Sequence, residues 1–548
     1  MKCDAIGSNP PMPSAMLTTQ DIRRRQRILE AAIVQLAERG LSQTLLEDAA
    51  AAAACSMAQA QVFFGRDEEL VLGLYARLAA DLEARVSELP DGSVAERFRS
   101  IMLAKLSLVA PYREALAALL AALLNPKHEL SVLSTESGII RSRVMGVFSA
   151  VVLGARDGHK VNTQQTVRSL YAMHLALMLL WTQDRSDDSK ATRAAIDLVR
   201  DLLSLSGRLA WLPGAGSPFE RFDEIAAPLI EPAPDCAQAA ISRKILEQLF
   251  QHRRLETAGP CAERPCEQCF ALHLPRVLRF VSANEPIHFL LPAFPAKSPS
   301  PKKVLGPLPD MAEELALRFL DQLCDQIREL YSPGARITIC SDGRVFSELV
   351  GVTDQDVTDY GLEMERFRDR IGTTSLDWFR MEDLFETSEH AVMREQLVLH
   401  YAEPLAAIRQ RVSDHDQHRL LFNGIQRFLF EDRVAIETEK SRTQLRNECK
   451  ERTFLVMQRS DAWGRLLSDC FPAALRLSIH PQIPHAEKIG IRLGAASDAW
   501  ITPWHGVAVE RAGEFQLMRL SEAEELGAQV VNRFGRPSHL RIGATREC

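Results

Sequence analysis

The feature that most constrains this chain is a change of texture near residue 211. Up to about residue 210 apolar residues recur at helical spacing, as in Ile28, Leu29, Ala32, Ile33, Leu36 and Ala37 before the stop at Gly40, and no strand-like alternation interrupts them. Residues 211–235, WLPGAGSPFERFDEIAAPLIEPAPD, are rich in Pro and Gly, which break helices, and read as a linker. Beyond them strands and helices alternate. A chain of 548 residues is too long for one core, so the expectation is multidomain: an all-α part over 17–210 and an α/β part over 236–548. Residues 1–16 carry no apolar run and read as a disordered start rather than a signal peptide.

Within the first part the periodicity predicts helices at about 67–88, 94–108, 111–124, 135–154, 163–183 and 190–208. Thr44 with Glu47 and Ser56 with Gln59 each fit a capping box opening a short helix. In the second part, Ile287–Leu291 reads as a strand and Arg336–Cys340 as another. Between them a helix at about 311–330 has Asp310 as N-cap and Glu313 three residues on. Strand, helix, strand at this length is a βαβ unit with a parallel pair and a right-handed crossover.

That unit sends the loops 292–310 and 341–347 out at one sheet edge, the carboxyl edge where open α/β sheets bind ligands. The first loop carries Lys297, Ser298, Lys302 and Lys303, and the second Ser341, Asp342 and Arg344. Cations and hydroxyls converging there suit an anionic substrate such as a sugar phosphate; decoration of a proline-rich surface loop is the plain alternative for the lysines. Two further apolar runs adjoin polar clusters, Leu475–Ile479 before His480-Pro-Gln482 and Val507–Val509 after Trp504-His505-Gly506. Histidine suits proton transfer near neutrality, although a lone strand-end histidine is commonly structural.

The blocks LPAFPAKSPSPKKVLGPLPD (291–310), SDGRVF (341–346), MQRSDAW (457–463), RLSIHPQ (476–482) and TPWHGV (502–507) stand in an order that resembles the isonitrile synthases, over about 236–548. The resemblance implies a Rossmann-like α/β core and no metal or organic cofactor. It implies condensation of an α-amino acid, usually tyrosine or tryptophan, with the C2 ketone of ribulose 5-phosphate, whose carbon becomes the isocyanide carbon of a secondary metabolite. Under it, His480, His505 and Asp342 are the expected proton-transfer groups. Lys297, Ser298, Lys303, Ser341, Arg344 and Gln482 are the expected substrate-binding groups. Arg476 either holds the amino-acid carboxylate or forms a buried ion pair.

Cys261, Cys266, Cys269 and His273 form a ligand set that zinc accepts. All four lie within 13 residues and no second distant pair accompanies them, so the expectation is reduced thiols and no metal.

RRRQRILEAAIVQLAERG, TLLEDAAAAAAC, SMAQAQVFFG and RDEELVLGLYARL resemble the helices of a TetR-type DNA-binding domain over 17–78, with a helical dimerisation or ligand region over 79–210. The third helix, about 57–63, would enter the major groove. It offers Gln59 and Gln61 but no Arg or Lys, and Ala54 stands where that family usually has glycine. Arg24 and its neighbours in Arg23–Arg27 are the candidates for a phosphate clamp. Residues 21–90 hold 8 basic and 11 acidic residues, a net of −3, which weakens any DNA contact. The resemblance implies a homodimer. A second reading is a TetR-type regulator whose synthase-like domain senses a metabolite. The net charge of −7 gives no global pull toward nucleic acid, and no apolar run is long enough to span a bilayer. Eleven cysteines without a framework spacing fit a reducing cytoplasm.

Overall fold

The computed structural model describes residues 19–125, 128–134, 137–158, 161, 163–209, 236–256, 261, 264–385, 387–494 and 501–542. The expected disordered start (1–16) and linker (211–235) lie outside the described residues.

The first part consists of helices joined by turns, with no strand among the described residues. The helices Thr19–Arg39, Leu45–Ala52, Met57–Gln61 and Asp67–Ala84 close over one apolar cluster that includes Ile28, Leu36, Leu45, Phe64 and Leu70. Val94–Val109, Gly138–Leu153, Thr163–Gln183 and Lys190–Leu209 enclose a second, centred on Phe98, Phe148 and Leu170. The helix expected over 111–124 is broken instead. A 3-10 turn at Ala110–Tyr112 holds Pro111, which cannot donate a backbone N–H, and the short helices Arg113–Ala118 and Leu120–Leu124 follow. The Ser56–Gln59 capping box forms. The Thr44–Glu47 box does not: the Thr44 side chain caps no backbone N–H, and its hydroxyl donates to Asp48 at 3.0 Å. Ala54 takes the left-handed conformation (φ +55°) that glycine adopts without strain, at a cost of about 1 kcal/mol.

The second part is built on five parallel strands in the order β3-β2-β1-β4-β5: β1 Ile287–Pro292, β2 Ala335–Cys340, β3 Leu376–Phe379, β4 Leu475–Ser478 and β5 Ile489–Gly490. The first five residues of β1 are all buried, as a parallel strand covered on both faces requires. The helix Met311–Leu330 joins β1 to β2, and its cap is the expected one: the Asp310 carboxylate accepts from Ala312 N at 2.9 Å, while Glu313 accepts from Asp310 N at 3.0 Å. A smaller mixed sheet in the order β7-β6-β9-β8 follows, with β6 Val507–Arg511, β7 Glu514–Met518, β8 Gln529–Arg533 and β9 Arg536–Arg541. No helix among the described residues is long and apolar enough to cross a membrane.

The helical part is docked on the α/β part through buried polar contacts. Arg23 donates to the carbonyls of Glu382 and Phe385 at 2.6 and 2.7 Å, and Arg25 to that of Asp469 at 3.2 Å. The Asp469 carboxylate is gripped by Arg77, and Tyr401 donates to Glu30 at 2.8 Å. Glu83 and Arg143 meet Arg276 and Glu487 in one charged network.

Candidate active site

In the order 3-2-1-4-5 the direction of winding reverses between β1 and β4, and in open α/β sheets ligands bind beyond the strand carboxyl ends at such a point. The parallel register aligns Pro292 with Cys340 and Leu290 with Arg476. The segments after β1, β2 and β4 therefore leave at one edge, as the βαβ reading expected for the first two. Two close approaches seat them. A Cβ on Gly343 would stand 1.8 Å from the Pro295 carbonyl oxygen, and one on Gly490 2.5 Å from that of Arg254. Neither position tolerates a side chain. The block 502–505 is laced to the same edge, with Ser298 N donating to the Trp504 carbonyl at 2.9 Å and Lys297 Nζ to that of Pro503 at 3.0 Å.

Asp342 follows β2, His480 follows β4, and His505 lies in the block laced to the same edge. Burial, with no cation to offset it, pushes the Asp342 carboxyl up to about 7, and its Oδ1 has no hydrogen-bond partner. His480 has an exposed ring at the end of β4, yet the crowding of protein around it and then Arg254 and Lys488 lower its pKa to about 4. Burial, then Lys303 and His480, hold His505 at about 3; its Nδ1 lies 3.0 Å from the Thr502 hydroxyl. Both imidazoles are thus neutral at pH 7, and the Asp342 carboxyl is poised near half-ionisation. Two kinds of group with pKa values pushed apart make an acid–base pair available.

The other sequence candidates divide. Lys297 is 2% exposed and locked between Asp310 (2.9 Å) and Glu313 (2.8 Å). Burial lowers its pKa, but the two carboxylates outweigh that and raise it. Its charge is met inside the fold by these two carboxylates. Arg344 is likewise taken up, by Glu382 at 2.7 Å, the Asp354 carboxylate at 3.2 Å and Thr358 at 2.7 Å. Ser298 donates to Asp432 at 3.2 Å, and Ser341 to the Phe294 carbonyl at 3.1 Å. Lys303 pairs with Asp432 at 2.7 Å and lies over the Phe428 ring, but remains part-exposed. Arg476 forms no buried ion pair with a carboxylate at contact distance among the described residues. It donates to the Gly464 carbonyl and Ser468 at 3.2 and 3.0 Å, and its Nε has no partner. Gln482 folds back on Ser478 and on the carbonyls of His480 and Pro481.

The DNA-contact candidates fare differently. Gln59 uses its side-chain oxygen in the Ser56 capping box, Gln61 is exposed, and the helix carrying them has five residues. Arg24 is half-buried, and its neighbours Arg23 and Arg25 point into the α/β part rather than outward.

Two groups escaped sequence reasoning. Lys488 is exposed in the loop before β5, where first Arg476 and then burial lower its pKa. Arg254 donates to the Ile479 carbonyl at 2.5 Å and so holds the strand end that presents His480. Neither stands in a recognisable block; only the alternation of charge in HAEKIG hinted at the first. The cysteine cluster needs a correction as well. His273 packs against Phe250 and bonds the Ala486 backbone, and it is His485 whose ring joins Cys261, Cys266 and Cys269.

Comparison with known proteins bears on the same half. A family model described as pyoverdine/dityrosine biosynthesis protein matches residues 277–531. The L-tryptophan isonitrile synthase AmbI1 of Fischerella ambigua is 49% identical over 300 residues, covering 55% of this chain and 94% of that protein. The L-tyrosine isonitrile synthase of Pseudomonas aeruginosa is 44% identical over 318 residues, covering 56% and 96%. The crystal structure of PvcA from Pseudomonas aeruginosa aligns at a TM-score of 0.52 and 43% identity, over 55% of this chain and 99% of that one.

Proposed function

The chain belongs to the pyoverdine/dityrosine biosynthesis family, its α/β half being that of an isonitrile synthase, and from that premise we propose that it converts the amino group of L-tryptophan or L-tyrosine to an isocyanide with ribulose 5-phosphate as carbon donor. The observation that carries this is a carboxyl at about 7 and two neutral imidazoles on segments that meet at the carboxyl edge of the parallel sheet. Attack on the C2 ketone needs the amino acid as free amine, and Asp342 is matched to take the ammonium proton at neutral pH. The adduct must then lose water, for which Asp342, now protonated, hands that proton to the departing hydroxyl while a neutral imidazole, His480 or His505, accepts the proton released from nitrogen. Lys488, Lys303 and the free Nε of Arg476 supply the cationic wall that a phosphate or carboxylate requires.

The decisive experiment incubates the full-length protein with a panel of amino acids and ribulose 5-phosphate and follows isonitrile by mass spectrometry. Product with an aromatic amino acid and loss of it in His480→Ala are expected; no product with any amino acid sinks the reading and favours a metabolite-sensing regulator.

For the helical half, the TetR-like likeness is best read as a docking and dimerising flank. Two of the arginines offered for a phosphate clamp are spent on the α/β half. Leu198, Leu202 and Leu205 are exposed along one face of Lys190–Leu209. Leu179 and Leu180 add apolar surface on the helix before it. A second copy covering this face gives a homodimer.

A further inference from the structure

The cysteine cluster takes no part in that chemistry. Cys261, Cys266 and Cys269 come from the segment before the helix Leu274–Ala283, whereas His485, 224 positions beyond Cys261, comes from the loop between β4 and β5. Their four ligand atoms all lie within 4.8 Å of one another. Cys261 Sγ stands 3.6 Å from Cys266 Sγ and 3.7 Å from His485 Nε2, and Cys266 Sγ stands 3.7 Å from Cys269 Sγ and 3.1 Å from His485 Nε2. A tetrahedral Zn2+ with bonds of about 2.3 Å to sulfur and about 2.0 Å to nitrogen has edges of roughly 3.5–3.8 Å. Three of the four distances fall on those edges and the fourth is a few tenths of an ångström short. A disulfide brings two sulfurs to about 2.0 Å and leaves the third thiol and the imidazole without a reason to converge.

The surroundings point the same way. His485 holds a left-handed backbone (φ +65°), a strained conformation for a residue with a Cβ, and in it the ring reaches the thiols. Arg253 donates to the Cys261 carbonyl, placing a cation beside a set that, with three thiolates and one Zn2+, carries a net charge of −1. Arg254 N to Gly490 O at 2.8 Å and Gln482 N to Arg254 O at 3.1 Å tie the chain ahead of the cysteines to β5 and the loop that carries His485.

We propose that Cys261, Cys266, Cys269 and His485 hold a structural Zn2+. Four protein ligands leave no open position, so the ion is a clip and not a Lewis acid for the reaction. It fastens the three cysteines to the loop that carries His480, Gln482 and Lys488, and thereby fixes the position of that loop. His273 orients that loop through the Ala486 backbone without touching the ion.

The test uses the full-length protein, dialysed against metal-free buffer and measured by plasma mass spectrometry. About one zinc per chain is expected, as is intense thiolate-to-metal absorption after Co2+ replaces it. Cys266→Ser and His485→Ala lose the ion, and His273→Ala keeps it. A wild-type protein that binds neither Zn2+ nor Co2+ stoichiometrically overturns the proposal, as does a Cys261–Cys266 disulfide in the peptide masses of protein purified under reducing conditions. Retention in His485→Ala with loss in His273→Ala overturns the ligand assignment. The wild-type measurements stand even if a variant fails to fold, and none depends on isonitrile formation.

Discussion

Asp342→Asn separates catalysis from stability more sharply than any other single change. Raising this carboxyl from 3.8 to about 7 corresponds to a ceiling of about 4 kcal/mol at roughly 1.4 kcal/mol per pH unit. The side chain is not wholly covered, so about half that, ~2 kcal/mol, is the working figure. The sign follows from the folded value lying above the unfolded one. The unfolded chain ionises Asp342 first, so the folded state is not penalised below about pH 4, loses stability as pH rises from about 4 to about 7, and is penalised by a constant amount above that. Asparagine keeps the shape and removes the charge. Urea denaturation should therefore show Asp342→Asn more stable than wild type by about 2 kcal/mol at pH 8 and nearly equal to it at pH 4. Turnover should fall by about 10²-fold or more, and the rise of wild-type kcat/KM with pH through about 7 should flatten. Equal stability of the two proteins at pH 8, or an unchanged pH profile, would refute the reasoning that a desolvated, unpartnered carboxyl does the proton transfer.

Three more outcomes are expected. Lys297→Ala strands the Asp310 and Glu313 carboxylates in the core and should cost about 3–5 kcal/mol of stability by denaturant titration; a raised KM for ribulose 5-phosphate at full stability would return Lys297 to the substrate site. Lys488→Ala should raise that KM about tenfold while kcat stays within about twofold, since a charge-assisted hydrogen bond is worth about 1.5 kcal/mol or more; an unmoved KM takes the residue out of the phosphate wall. Leu202→Glu places a charge in the exposed leucine row and should convert a dimer to a monomer in light scattering, whereas a wild-type monomer would dispose of the homodimer reading.

Much of this protein is written in local patterns. The helix Met311–Leu330, its Asp310–Glu313 cap and the parallel pairing of its flanking strands follow from spacing and capping chemistry that act over a few residues. So does the emergence of SDGRVF beside PAKSP, because a right-handed crossover leaves no other edge for it. The same periodicity misjudged the stretch 111–124, where Pro111 disturbs the backbone without breaking the apolar pattern.

What tertiary structure alone decided is which charges are free. Lys297, Arg344, Lys303, Arg23 and Arg25 read identically in sequence, as cations near a site. Only the fold shows that carboxylates or carbonyls distant in the chain meet the first, second, fourth and fifth, while Lys303 keeps part of its exposure. The metal-type cluster is the same lesson in reverse. Three thiols lie close in the chain, but their fourth partner is His485 rather than the nearer His273, because partners are chosen by where loops meet in space and not by how many residues separate them. Desolvation belongs here too: that Asp342 sits at about 7 and His505 at about 3 is a property of the packing around them, and no window of sequence contains it.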